Sequence, residues 1–226
     1  MYTDPPLHPN MSVSTALLAI HIGPIAEIGS DHLPSAIAKH PIAGRIKITP
    51  LGLVGDFQAD RLHHGGPDKA LHHYPAEHYA AWRSEQPNRS ALFQPGGFGE
   101  NLSTLGICEN AICLGDRFRL GSALVQVSQG RQPCSKLNQR FAIPDMLERV
   151  LGNGRTGWYY RVLEPGETGV GDSLTLLERP LPDWPLTRLW QVLFGPEKDP
   201  AALAWLSQQP LLAASWRERA ARRIKA

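Results

Sequence analysis

Arg117-Phe118-Arg119-Leu120, followed after a glycine by Leu124-Val125-Gln126-Val127-Ser128, decides the fold class. Both are short apolar runs, and the second alternates with the two-residue period of a half-buried strand. The same texture extends in both directions. Runs at 16–22, 35–39 and 45–49 lie upstream, and runs at 158–163 and 174–177 lie downstream. Gly55-Asp56, Gly115-Asp116 and Gly171-Asp172 stand before or between such runs. Glycine supplies the positive φ of a tight turn, and Asp bonds the backbone beyond it. Many short strands with turn signals predict a mainly β fold over residues 13–178, barrel-like or a sandwich, and not a doubly wound α/β sheet.

Two helices are predicted to interrupt it. One covers 75–82, with Pro75 in its first turn; the other follows Pro144 and stops at Gly152-Asn153-Gly154. The Pro-rich residues before Val13 are predicted to fray. After Glu178 the composition changes. Arg179-Pro180-Leu181-Pro182-Asp183-Trp184-Pro185 reads as a hinge. Helices are predicted at 186–194 and at 201–208, the latter behind an Asp199 cap and Pro200. Leu212, Trp216, Ala220 and Ile224 then repeat every four residues. Residues 179–226 are therefore predicted to be a small three-helix extension with its own apolar seam.

Bulk properties exclude several classes. Of 226 residues, 42% are hydrophobic and 19% charged, which describes a globular chain and not a disordered one. A net charge of +2 argues against nucleic-acid binding by bulk electrostatics. No stretch approaches the roughly 20 apolar residues of a membrane span. Three cysteines do not make a disulfide framework, which points to a reducing cytoplasm.

Three stretches carry the chemistry. In Gln129-Gly130-Arg131-Gln132-Pro133-Cys134-Ser135-Lys136, the cysteine precedes what reads as a first helical turn and is flanked by Arg131 and Lys136. Unpaired N–H groups and neighbouring cations favour thiolate over thiol. Such a sulfur serves as a nucleophile or as a soft metal ligand. Cys108 and Cys113 lie near strand-like runs and are assigned to the core. Five of the nine histidines lie between His63 and His78. Their spacing does not fit a zinc helix, so no zinc is expected. His64-Gly65-Gly66 reads as a loop whose backbone approaches an anion closely. Gly96-Gly97-Phe98-Gly99-Glu100-Asn101-Leu102 reads as a tight turn before a strand and matches no Walker loop.

Taken in order, His64-Gly65-Gly66-Pro67-Asp68-Lys69-Ala70-Leu71, Gly99-Glu100-Asn101-Leu102 and Arg131-Gln132-Pro133-Cys134 resemble a MOSC domain, the C-terminal domain of molybdenum-cofactor sulfurases. With Gly157-Trp158-Tyr159-Tyr160 and the helical tail, the resemblance is to the bacterial YiiM type and covers nearly the whole chain. It departs at Gly130, where that pattern has proline. The resemblance implies a β-barrel-like fold and a molybdopterin cofactor, without pyridoxal phosphate, with Cys134 as the molybdenum ligand. Arg131, Lys136, Asn101 and the Gly65-Gly66 backbone would receive its anionic part, and His64 would supply a proton. It further implies reduction of small N-hydroxylated compounds such as hydroxylaminopurine, with electrons from a partner reductase. A second reading is a carrier that holds the cofactor or a persulfide on Cys134 and hands it on. A third, a metal-free Cys–His hydrolase, lacks any family nucleophile signature.

Overall fold

The computed structural model describes residues 13–29, 32–59 and 65–225. The predicted fraying before Val13 and the position of His64 lie outside these residues.

Seven strands close into a barrel: β1 (Ser14–Ile22), β2 (Leu71–Pro75), β3 (Leu102–Thr104), β4 (Arg117–Leu120), β5 (Ala123–Gly130), β6 (Trp158–Glu164) and β7 (Ser173–Glu178). Around the wall the order is β7-β4-β5-β6-β2-β3-β1, and β1 pairs with β7 to complete the ring. Only β2 and β3 run parallel; the other pairings are antiparallel. Alternation places Phe118, Leu120, Val125, Val127, Trp158, Tyr160 and Leu174 inside, all fully buried. Burial of each such side chain contributes about 1.5–3 kcal/mol. The run predicted at 35–39 is a strand only at Ser35, the last residue of Leu33–Ser35, which pairs with Ala26–Ile28.

Three short helices cover one end: α1 (Glu77–Glu85), α2 (Lys136–Phe141) and α3 (Met146–Asn153). Helix α1 begins later than predicted because Pro75 belongs to β2, and the Ala76 N–H donates to Thr104 O at 2.9 Å. Beneath these helices lies a second apolar cluster built on Tyr74, Tyr79, Trp82, Phe93, Phe98 and Phe141. Phe93 stacks on Phe141 with centroids 4.6 Å apart, and Tyr74 stacks on Phe98 at 4.3 Å. This cluster fixes the loop that carries Phe98.

The tail forms α4 (Leu186–Phe194), α5 (Pro200–Gln208) and α6 (Ala214–Lys225). Asp199 caps α5 as predicted, its side chain accepting from Ala202 N at 2.9 Å. The tail does not keep a separate seam. Leu189, Leu193, Leu203, Leu206, Trp216 and Ala220 belong to one apolar cluster with Val125 and Val127 of β5. Backbone bonds fasten it further, with Ala213 N donating to Ser128 O and Leu186 N to Ile112 O. Among the described residues no helix is long and apolar enough to cross a membrane.

Gly130 explains its own departure from the proline pattern. A Cβ there would sit 2.9 Å from Cη2 of Trp216. The indole of α6 occupies the space that a side chain at 130 would need.

Candidate functional site

Cys134 lies on the loop between β5 and α2. Arg131 prolongs the β5–β6 pairing by one residue, its N–H donating to Gly157 O at 3.0 Å. The chain then leaves the sheet at Gln132-Pro133. Helix α2 has six residues with Ser135 at its N-cap, so Cys134 stands before the cap, where its own C=O accepts from Leu137 N at 3.1 Å. Its thiol is half-buried. It lines a cleft together with Lys39, Asp56, Lys69, Arg131 and Lys136. Among the described residues, four cations thus face one carboxylate.

The opposite wall comes from the glycine-rich loop, which a buried carboxylate holds in shape. Glu100 accepts from Gly96 N at 2.6 Å, Phe98 N at 3.1 Å and Ser103 Oγ at 3.2 Å, and Tyr79 OH donates to it as well. Burial raises its pKa while these donors pull it back. The loop closes toward Arg131, whose Nη2 is 3.5 Å from Phe98 O. Arg131 is 6% exposed, and its buried Nη1 has no hydrogen-bond partner.

The floor is set by strand alternation. On β2, His73 points into the barrel and His72 points at the cleft. His73 bonds Tyr160 OH at 3.1 Å and Thr104 Oγ1 at 2.9 Å. Burial lowers its pKa to about 3. His72 pairs across the ladder with Tyr159, ring centroids 5.0 Å apart. Burial, then the Arg131 and Lys39 charges, push its pKa well below the usual imidazole value, so the ring is neutral. Burial raises the Tyr159 pKa, and the phenol keeps its proton. Beside these rings the chain must turn sharply. Gly157 has φ +68°, and a Cβ there would lie 2.1 Å from His73 O.

Lys39 and Asp56 form an ion pair in the cleft, their side chains 6% and 2% exposed. Burial lowers the Lys39 pKa, and Asp56 opposes that shift. Asp56 also accepts from Gly23 N at 2.9 Å and from Asn101 Nδ2 at 2.8 Å.

Of the residues chosen from sequence, Cys134, Arg131, Lys136 and Asn101 come together in this cleft. Asn101 plays a different part from that expected. Its amide donates to Asp56 and to His21 O, and its Oδ1 accepts from His72 N. It braces the wall and has no donor left for a ligand. Lys136 gives one N–H to Pro34 O at 2.8 Å. Gly66 has φ +93° with open space where a Cβ would stand, but neither it nor Gly65 lines the cleft. Sequence reading missed Lys39, Asp56, His72 and Tyr159. The core assignment holds for Cys113, which is buried with its pKa pushed up to about 12, and fails for Cys108, which is half-buried.

A second, wider cleft also opens at Cys134. It shares Lys69, Cys134 and Tyr159 with the first, and α6 supplies its far wall through Ser215, Trp216 and Arg222. The sulfur stands at the junction of a cationic slot and an open vestibule.

Comparison with known proteins agrees with this anatomy. Residues 60–175 match the MOSC domain, and residues 184–226 match the YiiM-like 3-alpha helix domain. The chain is 49% identical over 146 residues to protein YiiM of Escherichia coli, covering 65% of each chain. It is 37% identical over 198 residues to a protein of Gibberella moniliformis named Reductase, covering 86% of this chain and 35% of that one. The aligned part is thus less than two thirds of either relative. The crystal structure of Escherichia coli YiiM superposes with a TM-score of 0.79 at 33% identity, over 94% of this chain and 93% of that one. The chain belongs to the MOSC domain family, in its YiiM-like form with a C-terminal three-helix domain.

Proposed function

We propose that this protein is a molybdenum-cofactor-dependent reductase of N-hydroxylated compounds, with Cys134 as the molybdenum ligand. The single observation that carries the reading is the buried Nη1 of Arg131, left without a partner in a slot that also holds Lys39, Lys69, Lys136 and a half-buried thiol. A buried guanidinium donor without an acceptor is costly. An anionic ligand with a soft metal answers both the donor and the sulfur. The donor set therefore fits molybdopterin, whose phosphate suits the cations and whose metal suits thiolate.

Arg131 and Lys136 would hold the anionic end, with Lys39 and Lys69 adding positive field. Asn101 and Glu100 act one step back, fixing Asp56 and the glycine-rich loop. When bound, the cofactor supplies two-electron redox chemistry at a sulfur-ligated centre.

The wider cleft at Cys134 is the route for a small N-hydroxylated substrate. Tyr159 lines both spaces and is the protonated hydroxyl at the junction, so it is positioned to hold a proton there. His64 remains a second proton source by its place in the motif. The name of the Gibberella relative supports a reductive reaction. A partner reductase would supply the electrons.

The test is to purify the protein from a host that makes molybdopterin, measure molybdenum, and assay hydroxylaminopurine reduction with an artificial electron donor. Stoichiometric metal and turnover are expected, both lost in Cys134→Ser. A folded protein with neither overturns the proposal. Bound cofactor without turnover, passed on to an acceptor apo-enzyme, identifies a carrier instead.

A further inference from the structure

We propose that His78, Cys108 and Glu109 form a binding site for a zinc-class divalent cation, separate from the cationic cleft. His78 stands in the first turn of α1, and Cys108-Glu109 lies on the loop after β3. One nitrogen of His78, the Cys108 sulfur and one carboxylate oxygen of Glu109 all lie within 4.8 Å of one another. His78 Nε2 is 2.8 Å from Glu109 Oε2, and the two side chains are 13% and 9% exposed.

The donor set selects the metal. Imidazole, thiolate and carboxylate are zinc ligands, and three of them leave a fourth tetrahedral position for water. Calcium and magnesium require shells dominated by oxygen. The two anionic ligands cancel the charge of the cation, which suits a site largely withdrawn from solvent. The carboxylate is also oriented from behind, since Glu109 Oε1 accepts from Thr156 N at 3.1 Å and Gly157 N at 2.7 Å. Such outer hydrogen bonds aim a ligating carboxylate.

This placement ties the site to the cleft. Gly157 O accepts the Arg131 N–H, and Thr156 O lies 3.4 Å from His72 Nε2. A cation gripped by Glu109 would stiffen the turn on which both cleft residues lean. Binding involves no electron transfer: the Cys108 thiol loses its proton to solvent, and a sulfur lone pair bonds the metal.

The experiment uses the full chain in a Cys134→Ser background, so that the other accessible thiol is silent. Cobalt(II) is added as a spectroscopic stand-in, then displaced by zinc. One equivalent of cobalt with a thiolate-to-metal charge-transfer band is expected, with proton release and a raised Tm. The band should vanish in Cys108→Ser and in His78→Gln; two variants guard against a folding defect in either, checked by far-ultraviolet circular dichroism. No band, or a band that survives both substitutions, overturns the site and leaves a hydrogen-bonded ion pair.

Discussion

Glu100 and Arg131 are both buried charges on loops that meet at the same cleft, and they are satisfied to opposite degrees. Glu100 accepts from two backbone amides and two hydroxyls. The Arg131 guanidinium has a long contact to Phe98 O and meets the Tyr159 hydroxyl, yet its buried Nη1 has no hydrogen-bond partner. The same contrast recurs on β2. His73 has both ring nitrogens bonded to side chains inside the barrel, whereas His72 faces the cleft and meets backbone, its Nε2 3.4 Å from Thr156 O with a further contact to Gly99. Residues whose hydrogen-bonding capacity is complete hold the fold. Residues whose capacity is left open are where a ligand completes the structure.

The largest effect should come from the satisfied side. Glu100→Ala orphans Gly96 N, Phe98 N and the Tyr79 hydroxyl together, and should destabilise by about 3–5 kcal/mol. Urea unfolding checks this; a loss below about 1 kcal/mol would mean that the loop holds without its carboxylate.

Next is Gly130→Ala, which drives a methyl group into the Trp216 indole and should cost about 1–3 kcal/mol. Trimming the indole with Trp216→Leu should relieve part of that, and a double-mutant cycle would show the coupling. Additive losses would separate the barrel from its helical tail.

A pH series sharpens the His72/His73 pair. The folded-state pKa of His73 lies near 3, against about 6.5 unfolded. Its neutral ring therefore contributes stability that is complete above pH 6.5 and lost as pH falls toward 3. The slope is about 1.4 kcal/mol per pH unit. The stability gap between wild type and His73→Gln should narrow across that window; a pH-independent gap would refute the assignment.

The smallest stability change belongs to Arg131. Arg131→Met should shift unfolding by less than about 1 kcal/mol. It should nonetheless weaken inorganic phosphate binding to the cofactor-free protein by about tenfold or more. A large stability loss with unchanged phosphate affinity would make Arg131 a structural residue like Glu100.

The same contrast explains what the sequence disclosed. Strands packed on one face announce themselves by alternation, and Arg45–Thr49 and Arg117–Leu120 match the runs read from sequence. Leu186–Phe194 was legible between its prolines. Strand β2 was not, because all five of its residues are buried and no period shows. The Cys134 loop was legible because its chemistry is contiguous: Arg131, Cys134 and Lys136 sit within six residues. Lys39, Asp56, His72 and Tyr159 come from four separate segments, and each has an ordinary local context. Only barrel closure brings them together. The Trp216–Gly130 contact was hidden for the same reason, since it joins the last helix to the strand that bears the site.

The most direct test of the account is molybdenum content per folded chain, measured side by side for wild type and Cys134→Ser from a molybdopterin-producing host. About one molybdenum per wild-type chain and none in the variant is the expected result. Equal metal in both, or none in a folded wild type, would contradict the assignment of Cys134.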